Sequence, residues 1–191
     1  MTDGAACAVT GLLSEARSGD PAAFAGLVRR HQRAVYSLAL RMLWDRHKAE
    51  DLAQDVFMQL YRKLAHMQSD AHVASWLRKV TTHLAIDRLR QEPRYELVPL
   101  EADPGVPAEP AGGDPLLQRR LRALLAQLPA PARAVLLLRY QEDLDPVEIA
   151  STLDMPLNTV KSHLKRSLSS LREQLGEGFE SAAAPEGGPI T

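Results

Sequence analysis

The residues best suited to chemistry lie near the end of the chain, between Asn158 and Arg172. This stretch contains four cationic side chains and no acidic one. The cations are Lys161, Lys165, Arg166 and Arg172. At about 100° per residue, one side of a helix here is apolar and the opposite side carries hydroxyls and cations. Cations bind phosphates and hydroxyls bond base edges, so the pattern favours a helix that enters the major groove of DNA.

A short helix and a tight turn precede this basic helix. Asp145-Pro146 starts the short helix, with Glu148 in the capping-box position, and Asp154-Met155-Pro156 interrupts it. Two helices joined in this way form a helix-turn-helix. Its candidate DNA-contacting residues are Thr159, Lys161, Ser162, His163, Lys165 and Arg166. A merely solvated basic face is the alternative, but the short helix, the turn and the acid-free run occur together and favour DNA binding.

A second basic segment runs from Trp76 to Arg94, where five Arg or Lys residues stand against Asp87 and Glu92. The other acids collect elsewhere along the chain, so the net charge of −1 conceals a segregation of sign. This segregation indicates two basic faces and an acidic one. Trp76 is a possible stacking platform for a base, although its spacing with Val80 and Leu84 favours a core position.

Segments dense in Ala, Leu, Arg, Glu and Gln favour helix, and few stretches alternate with the period of a strand, so we expect an all-α protein. Three amphipathic helices follow Asp20-Pro21 and predict a small bundle, so residues 1–91 form a first domain. Residues 92–114 are rich in Pro and Gly and predict a flexible linker. A second helical domain is predicted over 115–175, and a disordered tail over 176–191.

The chain contains one cysteine, Cys7, which excludes an internal disulfide and a Cys-based zinc site. The N-terminus has no basic segment followed by an apolar stretch, and no apolar run approaches the ~20 residues of a membrane span. We therefore expect a cytoplasmic protein with no membrane insertion.

The sequence resembles bacterial sigma-70 factors in two separate blocks. The segment PVEIASTLDMPLNTVKSHLKRSLSSLRE resembles region 4, which binds the promoter −35 element. In the first domain, FAGLVRRHQRAVYSLALRML is similar to region 2.1, AEDLAQDVFMQLYRKL to region 2.2 and SWLRKVTTHLAIDRLRQ to regions 2.3–2.4. Only these two domains are present, as in the extracytoplasmic-function (ECF) group. The resemblance implies a sigma factor that binds core RNA polymerase and directs promoter-specific initiation, with no catalytic activity, cofactor or metal of its own.

The resemblance also implies roles for individual residues. Region 2.2 of the family docks on the β′ clamp and region 4 on the β flap, and the resemblance implies an anti-sigma factor as a further partner. The matching clamp-binding positions are Asp51, Gln54, Asp55 and Phe57. Periodicity places Asp51, Gln54 and Asp55 on the side of the helix that points away from the core. An ordinary solvated acidic face would show the same pattern. Phe57 lies nearer the core.

Regions 2.3–2.4 of the family melt the −10 element and hold a flipped base. The matching residues here are Arg78, Lys79, His83, Arg88 and Arg90, and a loop at about 66–74 would form the base pocket. Asp87 is expected to pair with a neighbouring Arg. His83 stands where the family usually has Asn, and Thr82 where Arg is frequent. His163, Lys165 and Leu168 also depart from the usual residues, so no promoter sequence carries over.

Two other classes of protein remain to be considered. An operator-binding regulator with an α-helical sensory domain explains the helix-turn-helix but not the second basic face. An enzyme would need a site, and the one candidate is a metal site at His47, Asp51 and Asp55, spaced i, i+4, i+8 on one helix. No nucleophile motif or Gly-rich phosphate loop accompanies it.

Overall fold

A computed structural model describes residues 4–91 and 115–182, and all regular structure in these ranges is helical. The predicted linker, 92–114, and the end of the predicted tail, 183–191, lie outside the described residues. The helices are α1 (Gly4–Arg17), α2 (Pro21–Leu43), α3 (Arg46–Lys63), α4 (Asp70–Gln91), α5 (Pro115–Gln127), α6 (Ala130–Tyr140), α7 (Pro146–Leu153) and α8 (Leu157–Ala182), with a short 3₁₀ turn at Leu64–His66. The predicted all-α class is therefore confirmed.

Acidic caps set the starts of three of these helices. The Asp20 side chain accepts a hydrogen bond from the Ala22 backbone N–H at 2.8 Å, and Asp45 accepts one from Lys48 at 3.0 Å. The Asp145 side chain accepts hydrogen bonds from the N–H groups of Val147 and Glu148, and the Glu148 carboxylate accepts one from the Asp145 N–H. These contacts satisfy backbone donors that have no partner inside a helix. The Asp20 cap and the capping box of α7 confirm two starts predicted from the sequence.

The first domain is built on α2, α3 and α4, with α1 packed against α2. Leu27, Leu52, Leu60 and Leu77 are among its largest fully buried side chains. They come from all three main helices, so each helix contributes its apolar face to one core. This arrangement is the small bundle predicted from periodicity.

The second domain packs α8 against α5, α6 and α7. Val135 and Leu138 of α6, Ile149 of α7 and Val160 of α8 are completely buried at its centre. Helix α8 is thus anchored at the end of its first turn by Val160, and the polar side of that turn is left facing outward.

The two domains also pack against each other. Helix α4 contacts α6 and α7, and α2 contacts α6. Buried residues of both domains form one continuous hydrophobic cluster. The surface of α4 that faces the second domain is consequently a domain interface in this conformation.

Three sequence predictions differ from the structure. Helix α1 was not predicted, because no Asp-Pro pair like Asp20-Pro21 marks its start. The loop predicted at 66–74 is shorter, because α4 already begins at Asp70. The Ser69 hydroxyl accepts a hydrogen bond from the His72 N–H at 3.1 Å and caps the first turn of α4. Helix α8 continues to Ala182, so residues 176–182 of the predicted tail are helical.

Candidate DNA and polymerase interfaces

The turn of the helix-turn-helix is fixed by backbone geometry at Asp154. This residue ends α7 in the left-handed conformation, with φ 51°, and its N–H donates to the Ala150 carbonyl. Asp and Asn tolerate that conformation better than most side chains. The chain then reverses, and Ile149, Leu153 and Val160 bury their side chains between the two helices. These contacts hold α8 at a set angle to α7.

The predicted DNA-contacting residues of α8 lie on its outer surface. Thr159, Lys161, Ser162, Lys165 and Arg166 are exposed, and His163 is half-buried. Within the part of the chain that the structure describes, Lys161, Lys165 and Arg166 have no carboxylate partner. A row of free cations and hydroxyls is what phosphate and base-edge contacts require.

The predicted polymerase-binding residues lie on α3. Asp51, Gln54 and Asp55 are exposed and Phe57 is half-buried, as periodicity predicted. Asp55 forms an ion pair with Arg88 of α4. Arg88, which the sequence analysis matched to the −10 element, therefore neutralises part of the acidic face of α3.

The same face of α3 contains an apolar residue that the sequence analysis did not select. Met58 is 51% exposed and lies seven residues, or two turns, after Asp51. Tyr61, one turn further, is 63% exposed and makes an edge-on contact with Phe24, with ring centroids 5.1 Å apart. The helical spacing of seven residues from Asp51 could have predicted that Met58 lies on this face. Single exposed apolar side chains are common on protein surfaces, so it is the place of Met58 within the α3 face, and not its exposure alone, that makes it a candidate contact residue.

Three of the five residues assigned to the −10 element face the second domain. Arg78 Nε donates to Glu142 Oε2 at 3.1 Å, and Lys79 Nζ donates to Asp154 Oδ1 at 2.7 Å. His83 Nε2 lies 3.0 Å from the Thr152 carbonyl oxygen, to which it donates. The basic face predicted on α4 is present, but in this conformation carboxylates and a carbonyl of the second domain occupy it.

The other two residues of that set are paired within the first domain. Arg88 donates to the Lys48 carbonyl at 2.9 Å as well as binding Asp55, so it joins α4 to α3. Arg90 lies 3.6 Å from Asp87 on its own helix, the local pair that the sequence predicted for Asp87. Arg90 has a 62% exposed side chain, whereas Arg88 is 27% exposed.

The sequence left open whether Trp76 is a core residue or a stacking platform for a base, and its position combines features of both. It is half-buried and packs on the core, yet it also lines an open groove of about 540 Å³. Lys79, His83 and Asp154 line the same groove, together with residues of α3 and the start of α4. An indole, two potential cations and a carboxylate therefore meet where the two domains join.

Arg133 is the most deeply buried charged residue of the contact between domains. Its guanidinium donates to the carbonyls of Leu125 and Ala126 at 3.1 and 2.7 Å and to that of Met42 at 2.9 Å. It also lies 4.7 Å from the ring centroid of Trp44. The carbonyls belong to the last turns of α5 and α2, which have acceptors without helical partners and favour a cation. Burial lowers the pKa of Arg133 to about 10, so it stays charged at neutral pH.

Among the residues that the structure describes, two other groups have shifted pKa values, and both lie at the contact between the domains. The hydrogen bond from Lys79 lowers the pKa of Asp154, which keeps this exposed carboxylate ionised. Burial lowers the pKa of His31, and neighbouring Arg30 lowers it further. His31 Nε2 is buried without a hydrogen-bond partner among the described residues and borders a cavity of about 60 Å³ shared with Arg78 and Glu142.

The metal site considered from the sequence is not formed. Over residues 4–91 and 115–182, no three His, Cys, Asp or Glu side chains are grouped so as to hold a metal ion. None of the helices in the same ranges is long and apolar enough to cross a membrane.

An all-helical pair of domains, one a helix-turn-helix with a free basic face, defines a DNA-binding protein. Two family patterns match it, "Sigma-70 region 2" over residues 27–95 and "Sigma-70, region 4" over 118–171. The chain is 32% identical to the ECF RNA polymerase sigma factor SigW of Bacillus subtilis, over 85% of this chain and 94% of SigW. It is 35% identical to the ECF sigma factor SigE of Mycolicibacterium smegmatis, over 84% of this chain and 65% of SigE.

Solved structures agree on the fold. The structure of CnrH in complex with the cytosolic domain of CnrY matches with a TM-score of 0.64 at 22% identity, covering 89% of this chain and 98% of that one. The sigma factor RpoE of Bartonella quintana, crystallised with the anti-sigma factor NepR, matches with a TM-score of 0.64 at 20% identity, over 80% and 96%.

The chain therefore belongs to the sigma-70 family, within its ECF group. It is a sigma factor, which directs RNA polymerase to begin transcription at promoters. The first domain is sigma region 2 and not the sensory domain of an operator-binding regulator.

Proposed function

We propose that this sigma factor contacts the promoter at two points, with α8 in the major groove of the −35 element and α4 on the single strand of the −10 element. On α8 the contacts are made by Thr159, Lys161, Ser162, His163, Lys165 and Arg166. On α4 they are made by Arg78, Lys79, His83, Arg88 and Arg90. The free basic face of α8 is the observation that carries this proposal.

The two elements would lie about one to two helical turns apart, or ~35–70 Å. A fully extended linker of the length of residues 92–114 reaches roughly 75–80 Å. The chain is therefore long enough for both domains to engage one promoter. Because both domains bind one polymerase, each meets its element at a high effective concentration and neither needs high affinity alone.

Docking on the polymerase is proposed for the exposed face of α3. Asp51, Gln54 and Asp55 supply its polar part and Met58 its apolar centre, with Phe57 supporting it from the half-buried side. The partner of this face is the β′ clamp, and the second domain binds the β flap. An apolar centre surrounded by polar groups is the usual anatomy of a specific protein contact.

Regulation by an anti-sigma factor is proposed by analogy with the two solved relatives. Both structures contain a protein partner, named as an anti-sigma factor in the case of NepR. The protein works in the cytoplasm, where polymerase and chromosome meet, and catalyses no reaction of its own.

Replacing Arg166 tests the placement of α8. Arg166→Ala removes one exposed phosphate or base contact and should reduce run-off transcription by core polymerase from a −35-dependent template by about tenfold, a loss of 1–3 kcal/mol being usual for such a contact. Transcription is measured with purified core enzyme and saturating sigma factor.

Arg172→Ala is the matched control. Arg172 is exposed on the same helix, two turns after Lys165 and about 9 Å beyond Arg166 along the axis, so it lies past the N-terminal turns that are proposed to enter the groove. It should leave transcription near the wild-type level. Equal losses in the two variants would show that α8 contributes only general charge and would contradict the proposed orientation.

A further inference from the structure

The segment between α3 and α4, residues 64–69, forms a short loop that local hydrogen bonds fix in place. Met67 is buried and attaches the loop to the core of the first domain. The Ser69 hydroxyl accepts a hydrogen bond from the His72 N–H at 3.1 Å, and His72 Nδ1 in turn accepts one from the Gln68 N–H at 3.3 Å. These reciprocal bonds have the form of a capping box, with a histidine in place of the usual Glu or Gln. They hold the end of the 64–69 loop against the first turn of α4.

The 64–69 loop leads into the open groove that contains Trp76. His72 and Ser75, from the first two turns of α4, line this groove together with Trp76 and Lys79. The imidazole of His72 therefore belongs both to the cap of the loop and to the wall of the groove. An indole beside polar groups suits an unpaired base, because bases stack on aromatic rings and form hydrogen bonds through their edges.

Asp70, the first residue of α4, is bound by α2 and does not line the groove. Both of its carboxylate oxygens are buried, and neither accepts a hydrogen bond from a residue that the structure describes. Arg30 of α2 compensates the charge, with Nη1 3.0 Å from Asp70 Oδ2. The positive end of the α4 dipole also favours a carboxylate at this position. Because a buried charge is costly without its partner, the ion pair ties the start of α4 to α2.

We propose that Asp70 is a positioning residue for recognition of the −10 element: its ion pair with Arg30 holds the 64–69 loop and the first turn of α4 where they bind one unpaired base. The proposal rests on the assignment of α4 to the −10 strand. Because its carboxylate oxygens are buried, Asp70 does not touch DNA and acts through the backbone that it fixes. Loss of the ion pair should therefore weaken the part of the −10 affinity that depends on the base, and should leave the phosphate contacts of α4 in place.

The test measures how strongly the holoenzyme depends on each base of the −10 strand. Core polymerase carrying the sigma factor is titrated with fluorescein-labelled non-template strands from a promoter at which it starts transcription, and binding is followed by anisotropy. Each strand is either intact or has one abasic nucleotide, and the ratio of the two dissociation constants gives the base dependence at that position. The wild-type holoenzyme should show a ratio of about ten at one position of the element, in keeping with one stacked base.

Asp70→Asn keeps the shape of the side chain and removes its charge. The ratio at that position should fall to about three, while the affinity for the abasic strand stays unchanged and reports an intact fold. Arg30→Met should have the same effect, whereas Arg30→Lys keeps the cation and should retain most of the wild-type ratio. Because the two residues act as a pair, Arg30→Met/Asp70→Asn should lower the ratio no further than either single change.

Arg33→Met is the control for net charge. Arg33 is exposed on the same helix, the structure describes no ion pair for it, and its replacement should keep the wild-type ratio. A wild-type ratio in Asp70→Asn or Arg30→Met, additive losses in the double variant, or an equal loss in Arg33→Met would overturn the positioning role and leave the assignment of α4 intact. If the wild-type holoenzyme depended on no base of the −10 strand, the −10 site proposed on α4 would itself be wrong, and the inference with it.

Discussion

Single side chains decide how the two domains meet, and Arg133 is the clearest example. One guanidinium satisfies carbonyls from the ends of two helices in different domains and lies over Trp44. Nothing in the run PARAVLLLRY distinguishes this arginine from a solvated one, because its acceptors lie up to 91 residues away. Contacts of this kind cannot be predicted from periodicity, which reports only which face of a helix is apolar.

Replacing Arg133 by Met should destabilise the protein. The side-chain volume is roughly kept, but buried carbonyls of Ala126 and Met42 lose their donor. We expect a loss of about 3 kcal/mol in the free energy of unfolding, or about 6–12 °C in Tm. Differential scanning calorimetry measures it.

Arg133→Lys is the control for that change. Lysine keeps the charge but has no planar fork, so it can reach one carbonyl well and should fall between wild type and Met. A Tm for Arg133→Met within 1 °C of wild type would mean that the guanidinium contributes nothing net to the domain contact.

His31 should make stability depend on pH. Burial lowers its pKa below the usual 6.5, so below that pH the unfolded chain takes up a proton that the folded protein resists. Stability is therefore greatest above pH 6.5 and falls as pH decreases toward the folded-state pKa. The loss between about pH 7.5 and about pH 5.5, followed by urea unfolding, should be smaller in His31→Gln.

The exposed His47 provides the comparison for His31. His47→Gln should retain the wild-type fall in stability over the same pH range. If His31→Gln and His47→Gln gave the same slope, the acid sensitivity of the fold would have to come from other groups.

At the scale of helices, the sequence was most informative where a cap and a periodic face coincide. Asp20-Pro21 and the Asp145…Glu148 box predict the starts of α2 and α7 because both act through bonds between near neighbours. Helix α1, which has no Asp-Pro pair at its start, and the last turns of α8 were missed. The polar side of α8 was predicted to face outward and it does, because Val160 and Leu164 turn the opposite side of the helix toward the core.

The outward face of α3 provides a prediction at this scale. Met58→Asp places a charge at its apolar centre and should weaken binding to a β′ clamp fragment about tenfold or more, as expected for a central contact residue. The fold should be kept, because Met58 is 51% exposed. Isothermal titration calorimetry measures the affinity.

Val147→Asp makes the same chemical change at a similarly exposed position, 62%, in the second domain. It should leave binding to the β′ fragment unchanged. If Met58→Asp bound the fragment as tightly as Val147→Asp, the α3 face would be an ordinary solvated surface.

At the scale of the whole molecule, the order of domains followed from the sequence, but their packing did not. Two basic segments separated by a Pro- and Gly-rich stretch predicted two DNA faces on two domains. The structure adds that one of these faces is covered by the other domain, through Arg78–Glu142 and Lys79–Asp154. The sequence showed that basic and acidic residues are segregated along the chain. It could not show which of them pair across the domains, because those pairs depend on how the two domains pack.

Mapping of transcription start sites with purified core polymerase, this sigma factor and fragmented genomic DNA tests the two-point promoter contact most directly. The account predicts discrete start sites whose upstream sequences share two elements one to two helical turns apart, ~35–70 Å, with use of the upstream element reduced by Arg166→Ala. Start sites that share only a −10 element, or whose use is the same with Arg166→Ala as with the wild-type protein, would contradict it.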